Sequence, residues 1–286
     1  MTRRLSVLRL LRAAVIVGAL LWTLGPILVA AVTSVSTQSE ITASPAVWFP
    51  HHPTLRAYRA LLPTGAGGGG ADSEAHQLGS AMLTSLVVSL ETTAVTLVLS
   101  VLAGYAFARL DFRGRKVVFV AVVSTLVLPV FALVVPLFRI MATLQLINTN
   151  PGLILIYVSA IAPLGIWMFY SYVKDVPVGP QEAALVDGCT RFQALVKIVL
   201  PQMRPGIAAL TTIVFLASWS QFLIPLLFAQ SPSLKPVTVL ITEFVGKYNT
   251  NYALIAAAGL IALLPPALLA LSQSRQIRGM LSGGDL

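Results

Sequence analysis

The sequence predicts an all-α membrane protein with six transmembrane helices and both termini in the cytoplasm, and three observations carry that prediction. Charge is scarce: of 286 residues, 57% are hydrophobic and 10% charged, with a mean hydropathy of +0.86, whereas a soluble domain is about a quarter charged. Apolar runs of about 20 residues, enough for a helix to cross the hydrocarbon core, recur along the chain. Basic residues cluster between those runs, mostly on alternate connections. The composition also excludes other classes. The net charge of +9 comes with no basic stretch interleaved with aromatics, so no nucleic-acid partner is expected. A single cysteine, Cys189, rules out an internal disulfide and a thiolate metal cluster.

The first span, 13–35, follows Arg3, Arg4, Arg9 and Arg12 of a basic N-terminus, 1–12. Signal peptides start in the same way, but this apolar region is too long and further spans follow, so it is a retained anchor. The first outer loop, 36–79, contains "WFPHHPTLRAYRALLPTGAGGGG". Thr54 there caps a short amphipathic helix with Leu55, Tyr58, Leu61 and Leu62 on one side. The glycine run 65–70 lacks the lysine of a phosphate loop and reads as a linker. His51, His52 and His76 stand near Asp72 and Glu74 without repeating ligand spacing, so no metal site is expected.

The second span, 80–108, is interrupted only by Glu91; the others are 117–138, 151–173, 205–231 and 248–274. None alternates with period two, which excludes barrel strands. Prolines inside the spans (Pro26, Pro129, Pro136, Pro163, Pro225, Pro265 and Pro266) remove backbone donors and bend helices whose neighbours can satisfy the freed carbonyls. The six-helix domain thus covers 13–274, with a tail at 275–286. Orientation follows from the nineteen Lys and Arg. Fourteen fall on the side of the N-terminus, and five (Arg56, Arg59, Arg139, Lys235 and Lys247) on the other. Basic residues are retained in the cytoplasm during insertion.

The cytoplasmic connection 174–204 carries Glu182, Asp187, Arg191 and Lys197 in a chain otherwise poor in charge. Pro180 suits a first helical turn. Glu182 then meets the positive end of the helix dipole. Gly188 can close that helix in the left-handed conformation after about eight residues. A second helix begins at Thr190, with Gln193 completing a capping box. Its Phe192, Leu195, Val196 and Val199 share a face by the i, i+3, i+4, i+7 rule. Pro201 and Pro205 separate it from the fifth span. By periodicity the pair reads equally well as a rigid knob for another protein or as a loop resting on lipid headgroups.

The residue pattern separates the two. Glu182-Ala183-Ala184, three residues, Gly188, nine residues, then Ile198-x-Leu200-Pro201 resembles the EAA loop of binding-protein-dependent ABC importer permeases at every named position. "GYAFARLDFRGR", 104–115, looks like the end of the second span and the next inner loop of the smaller, maltose-type sugar permease subunit. "FLASWSQFLIPLLF", 215–228, is similar to its fifth span, with Ser220 where such members usually have Asn. "RGMLSGG", 278–284, is similar to its tail, although Asp285-Leu286 replaces the usual basic ending.

That resemblance implies a type I ABC importer permease in a bacterial plasma membrane. It assigns ATPase coupling to Glu182, Ala183, Ala184, Asp187, Gly188 and Arg191. Its partners would be a second permease subunit in a heterodimer, two cytoplasmic ATPases and an extracytoplasmic solute-binding protein. This chain has no G-x-x-x-x-G-K-[ST]. It is therefore expected to bind no cofactor and to be no enzyme, with ATP and Mg held by the partner ATPase.

Four residues are candidates for the substrate path. Glu91 is ionisable within a span, which points to function, or to a carboxyl bonded to Thr92, Thr93 or a neighbouring helix. Trp219 and Gln221 offer an aromatic face and an amide to a sugar. Ser218 and Gln221 share a side by i, i+3 spacing; packing against the second permease accounts for them equally. A sugar or sugar derivative is the expected solute, with glycerol phosphate or another small polar solute as the alternative. A stand-alone ion-coupled transporter would need paired ionisable groups or broken helices at the midplane; a scaffold without transport would need no ATPase.

Overall fold

The computed structural model describes residues 2–45, 47–62, 77–245 and 250–282. The glycine run 65–70, the Asp72, Glu74 and His76 group, Lys247 and residues 283–286 lie outside them. In chain order, α1 (Thr2–Val35) is followed by two short helices, α2 (Gln38–Ile41) and α3 (Arg56–Ala60). Then come α4 (Leu78–Arg109), α5 (Arg115–Ser124), α6 (Val130–Thr143) and α7 (Asn150–Asp175). The connection after α7 holds α8 (Gly179–Val186), α9 (Arg191–Ala194) and α10 (Leu200–Gln202). The remainder is α11 (Arg204–Trp219), α12 (Leu223–Phe228), α13 (Val237–Glu243), α14 (Tyr252–Ala262) and α15 (Leu264–Ser282). Four described stretches are straight, long and apolar enough to cross a membrane: Leu11–Val35, Leu78–Arg109, Asn150–Asp175 and Tyr252–Gln273. The number rises to as many as six when each of two bent pairs, Arg115–Val127 with Phe131–Thr143 and Arg191–Gln202 with Arg204–Trp219, counts as one span.

Proline decides where the spans break. The third expected span, 117–138, is two helices, α5 and α6, meeting at Pro129. Leu128 is extended (φ −70°, ψ 127°), as a residue before proline must be to avoid the ring. The fifth expected span, 205–231, is likewise α11 and α12 with a break at 220–222. Pro225 has no amide to offer the Gln221 carbonyl one turn back. The Thr238 hydroxyl donates to that carbonyl instead, at 2.7 Å.

The chain divides into two compact units, residues 1–80 with 240–264 and residues 81–239 with 265–286. In the first, α1 packs along α14 and touches α3. The most apolar window of Leu11–Val35 contains no buried residue, so most of that helix is left for lipid or another subunit. Glu40 organises the loop after α1. The Thr37 amide and hydroxyl donate to its Oε2 at 3.1 and 2.8 Å, and the His51 and His52 amides to its Oε1 at 2.8 and 3.1 Å. These donors, the Thr37 amide foremost, lower its pKa from 4.5 to about 2. His51 and His52 thus serve through their backbone.

The short helix predicted after Thr54 is α3. Its N-cap is Leu55, without a side-chain capping bond, and not the predicted Thr54, whose hydroxyl accepts from the Arg56 amide at 3.2 Å in the turn before it. The inward residues are Ala57 and Leu61, with the Tyr58 hydroxyl 2.9 Å from that of Ser34. Leu55 and Leu62 are exposed: five residues make little more than one turn, so the predicted four-residue face outruns the helix.

In the second unit α7 is the centre. It packs against α11, and Leu153, Ile156, Tyr157, Phe169 and Val173 are almost fully buried in the core. Facing it, α4 is patterned inside out. Ser85, Ser89, Thr92, Thr93, Thr96 and Ser100 are buried, while Leu83, Leu90, Val98 and Leu102 are exposed. In a membrane apolar side chains gain nothing by leaving the lipid, and small hydroxyl residues let backbones approach closely. Gly165 of α7 marks that approach: a Cβ there would lie 2.2 Å from Ser100 Oγ.

Candidate functional site

The loop between α7 and α11 has the predicted form at its first helix and departs from it at the second. α8 runs eight residues with Pro180 and Glu182 in its first turn. It ends where Gly188 takes φ +91°. The Gly188 amide donates to Leu185 O at 3.1 Å and the Cys189 amide to Ala184 O at 3.0 Å, the paired bonds of a Schellman closure. No atom stands within 4 Å of where a Gly188 Cβ would be, so backbone angle, not space, demands glycine here. Thr190 and Gln193 form the capping box, with amide-to-side-chain bonds of 2.8 and 3.2 Å.

The predicted apolar face of the second helix is corrected by a wide π-turn at Leu195–Val199. Leu195 and Val199 are buried as expected, joined by Ala194 and Met203. Phe192 and Val196 instead face outward. A π-turn takes an extra residue per turn, which rotates the stripe away from the α-helical spacing. Pro201, without an amide to close an α-turn onto Lys197, sits at the end of this wide turn. The chain then turns 84° from Arg191–Gln202 into α11.

Of the six coupling candidates, Glu182, Ala183, Asp187, Gly188 and Arg191 are exposed, while Ala184 is turned inward. The outward surface also includes Val186, 88% exposed, and Phe192, 64% exposed. The outward surface thus joins a carboxylate to two uncovered apolar side chains on a rigid double turn.

Three further residues secure this loop, and the motif alone did not point to them. The Gln181 amide donates to the Tyr105 hydroxyl at 3.0 Å, and both residues are buried. One turn further along α4, Arg109 Nη2 donates to Val173 O at 2.8 Å and also to Val176 O, at the C-terminal end of α7. Lys174 Nζ lies 5.0 Å from the Tyr170 ring centre, a cation–π contact. The signal for Tyr105 and Arg109 was their i, i+4 spacing at a span's end, which puts two polar groups on one face.

Ser218, Trp219 and Gln221 come together at the α11–α12 break, where with Ser85, Ser89 and Tyr157 they line a gap too tight for a water molecule. Ser218 Oγ is buried with no hydrogen-bond partner among the described residues. Trp219 stacks on Phe215 at 5.7 Å between ring centres. Glu91 is apart from this group, on the exposed apolar face of α4.

Comparison with known proteins gives this arrangement a family. The model of the binding-protein-dependent transport system inner membrane component matches residues 97–279, more than half of the chain. The sulfoquinovosyl glycerol transport system permease protein SmoH of Agrobacterium fabrum is 34% identical, over 88% of this chain and 85% of its own. The diacetylchitobiose uptake system permease protein NgcG of Streptomyces coelicolor is 32% identical, over 72% of this chain and 69% of its own. In fold, the chain resembles one from the crystal structure of a bacterial ABC transporter that imports the acidic polysaccharide alginate. That match has a TM-score of 0.79 at 19% identity and covers 96% of this chain and 98% of the other. The match over α4 to α15, with up to six apolar passes and a Schellman-closed EAA helix, makes this chain a multi-pass permease subunit of the binding-protein-dependent transport system inner membrane component family.

Proposed function

We propose that this permease subunit imports a sugar or sugar derivative across a bacterial plasma membrane, driven by ATP hydrolysed on a separate subunit that grips α8. The observation that carries the coupling role is the outward surface of α8, with Glu182, Ala183 and Val186 exposed on a helix closed by Gly188. The carbohydrate is supported by the relatives, whose names specify sulfoquinovosyl glycerol and diacetylchitobiose. The excess of basic residues on connections that share a side with α8 supports a cytoplasmic α8 and cytoplasmic termini.

In this mechanism two ATPase subunits hold ATP and Mg and close around the nucleotide. ATP acts through its different affinity for the open and closed arrangements. Closure pulls α8, and the spans packed against it follow as rigid bodies. A second permease subunit completes the path as a heterodimer, covering apolar surface that this chain leaves open. An extracytoplasmic solute-binding protein delivers the sugar to the side of the Glu40 loop. Ser218, Trp219 and Gln221 line the path at the α11–α12 break; Glu91, on an exposed face, meets lipid or the second permease.

The test is reconstitution of this chain with and without its ATPase, second permease and binding protein. ATP-dependent sugar uptake only by the full set is expected. Uptake by this chain alone, driven by an ion gradient and indifferent to ATP, would overturn the proposal.

A further inference from the structure

We propose that Tyr105 and Arg109 form a clamp that makes α4 move with the coupling helix, so that α4 is the rod carrying its motion into the membrane. This inference rests on the coupling role of α8 proposed above. The sequence motif describes how α8 meets an ATPase; it does not say which membrane helix receives the push.

α8 packs on the turn that follows it, α9 and Leu195–Val199, but its hold on the membrane helices is narrower. Within it only Gln181 and Ala184 are buried, and Ala184 offers a methyl group alone. Gln181 is therefore its directional anchor, through the 3.0 Å bond from its amide to the Tyr105 hydroxyl. Buried at 4% and 5% exposure, this bond is shielded from competition by water. Arg109, at i+4 on the same face of α4, grips the Val173 and Val176 carbonyls. Carbonyls at a helix end lack intrahelical donors, and a cation there complements the dipole.

The geometry makes one body of three helices. Only residues 176–178 separate α7 from α8, and both sides of that joint are held from a single turn of α4. Further along α4, about 140° around the helix from Tyr105, Ser100 is pressed against Gly165 of α7. That second face continues to Ser89 and Ser85, which border the gap beside Ser218 and Gln221. From Tyr105 to Ser89 is sixteen residues, or about 24 Å at the helical rise. A close-packed helix does not compress over that length, so a shift of α8 arrives at the α11–α12 break as a shift of α4. Tyr105 and Arg109 are thus positioning residues: they act through α8 and α4 and are not assigned contact with solute or nucleotide.

The experiment uses the complete complex in liposomes and reads solute moved per ATP hydrolysed, with recovery of the four-component assembly measured first. Tyr105→Phe keeps the ring and removes only the hydroxyl. It is expected to assemble like wild type and to lower solute moved per ATP about five-fold, the scale of one buried hydrogen bond. Gln181→Leu should do the same, and the double variant should be no worse than either single, because one bond is removed in all three. Gln181→Glu, which can still accept from the tyrosine hydroxyl, should restore more than half of the wild-type ratio. Were Tyr105→Phe not to assemble, Arg109→Lys, which keeps the charge but loses the fork, carries the same expectation. A wild-type ratio in an assembled Tyr105→Phe or Arg109→Lys complex would overturn the clamp, as would multiplicative losses in the double variant. Failure of the wild-type chain to bind an ATPase would sink the coupling role itself, a separate result.

Discussion

Thr238 replaces an amide that Pro225 does not have: its hydroxyl donates at 2.7 Å to the Gln221 carbonyl. This side chain lets α11 stop at Trp219 and restart as α12 without an abandoned carbonyl. Thr238→Val keeps the shape and removes the donor. An unpaired buried acceptor costs about 1–3 kcal/mol, so the purified permease should melt at lower temperature. An unchanged melting temperature would show that another donor serves Gln221.

Glu182 is exposed at the start of α8, where its charge complements the helix dipole. Glu182→Lys should leave membrane insertion intact and weaken ATPase association about ten-fold or more, the scale of removing one charge-assisted hydrogen bond and placing the opposite charge there. Co-purification with the ATPase, followed by ATP-driven uptake, reads the effect. Wild-type recovery and uptake would remove Glu182 from the joint.

At Gly188 the φ of +91° separates two substitutions. A β-branched residue is strained there, by roughly 1–2 kcal/mol or more, whereas asparagine visits left-handed conformations more readily. Gly188→Val should lower uptake markedly and Gly188→Asn much less. Equal uptake by the two variants would mean that the Schellman closure is not needed for transport.

The Glu40 carboxyl, lowered to about 2 from 4.5, makes a signed prediction. A depressed carboxylate pKa contributes stability that is complete above the unfolded value. That stability fades as pH falls from about 4.5 through about 2. Amide protection at Thr37, His51 and His52, taken as exchange relative to the intrinsic rate at each pH, should therefore be complete at pH 6 and fall through the acid range. Glu40→Gln should lose most of this pH dependence. Protection that is independent of pH in the wild type would argue against carboxylate anchoring.

The EAA helix was readable almost residue for residue, because its start, its end and the next cap are each set by local chemistry. Proline, glycine and the Thr190–Gln193 pair act within one or two turns of themselves, so no distant neighbour had to be known. The apolar stripe that follows was readable only until the π-turn rotated it, exposing Phe192 and Val196. Breaks at Pro129 and Pro225 were signalled as kinks, but the Thr238 hydroxyl that takes over the Gln221 carbonyl lies 17 residues away and no local pattern points to it. Gln181, Tyr105 and Arg109 were individually visible; the meeting of Gln181 with Tyr105 joins positions 76 residues apart and is invisible to any local pattern.

Composition, periodicity and the EAA pattern alone therefore settle that this chain is a helical membrane permease with a capped helix in its fourth connection, because bilayer crossing and helix capping are short-range demands on the chain. Tertiary packing settles which faces are buried and which helices are tied to one another. In a membrane, hydrophobicity no longer distinguishes inside from outside, so the hydroxyl-lined interior of α4 and its bond to α8 emerge only when the helices are assembled.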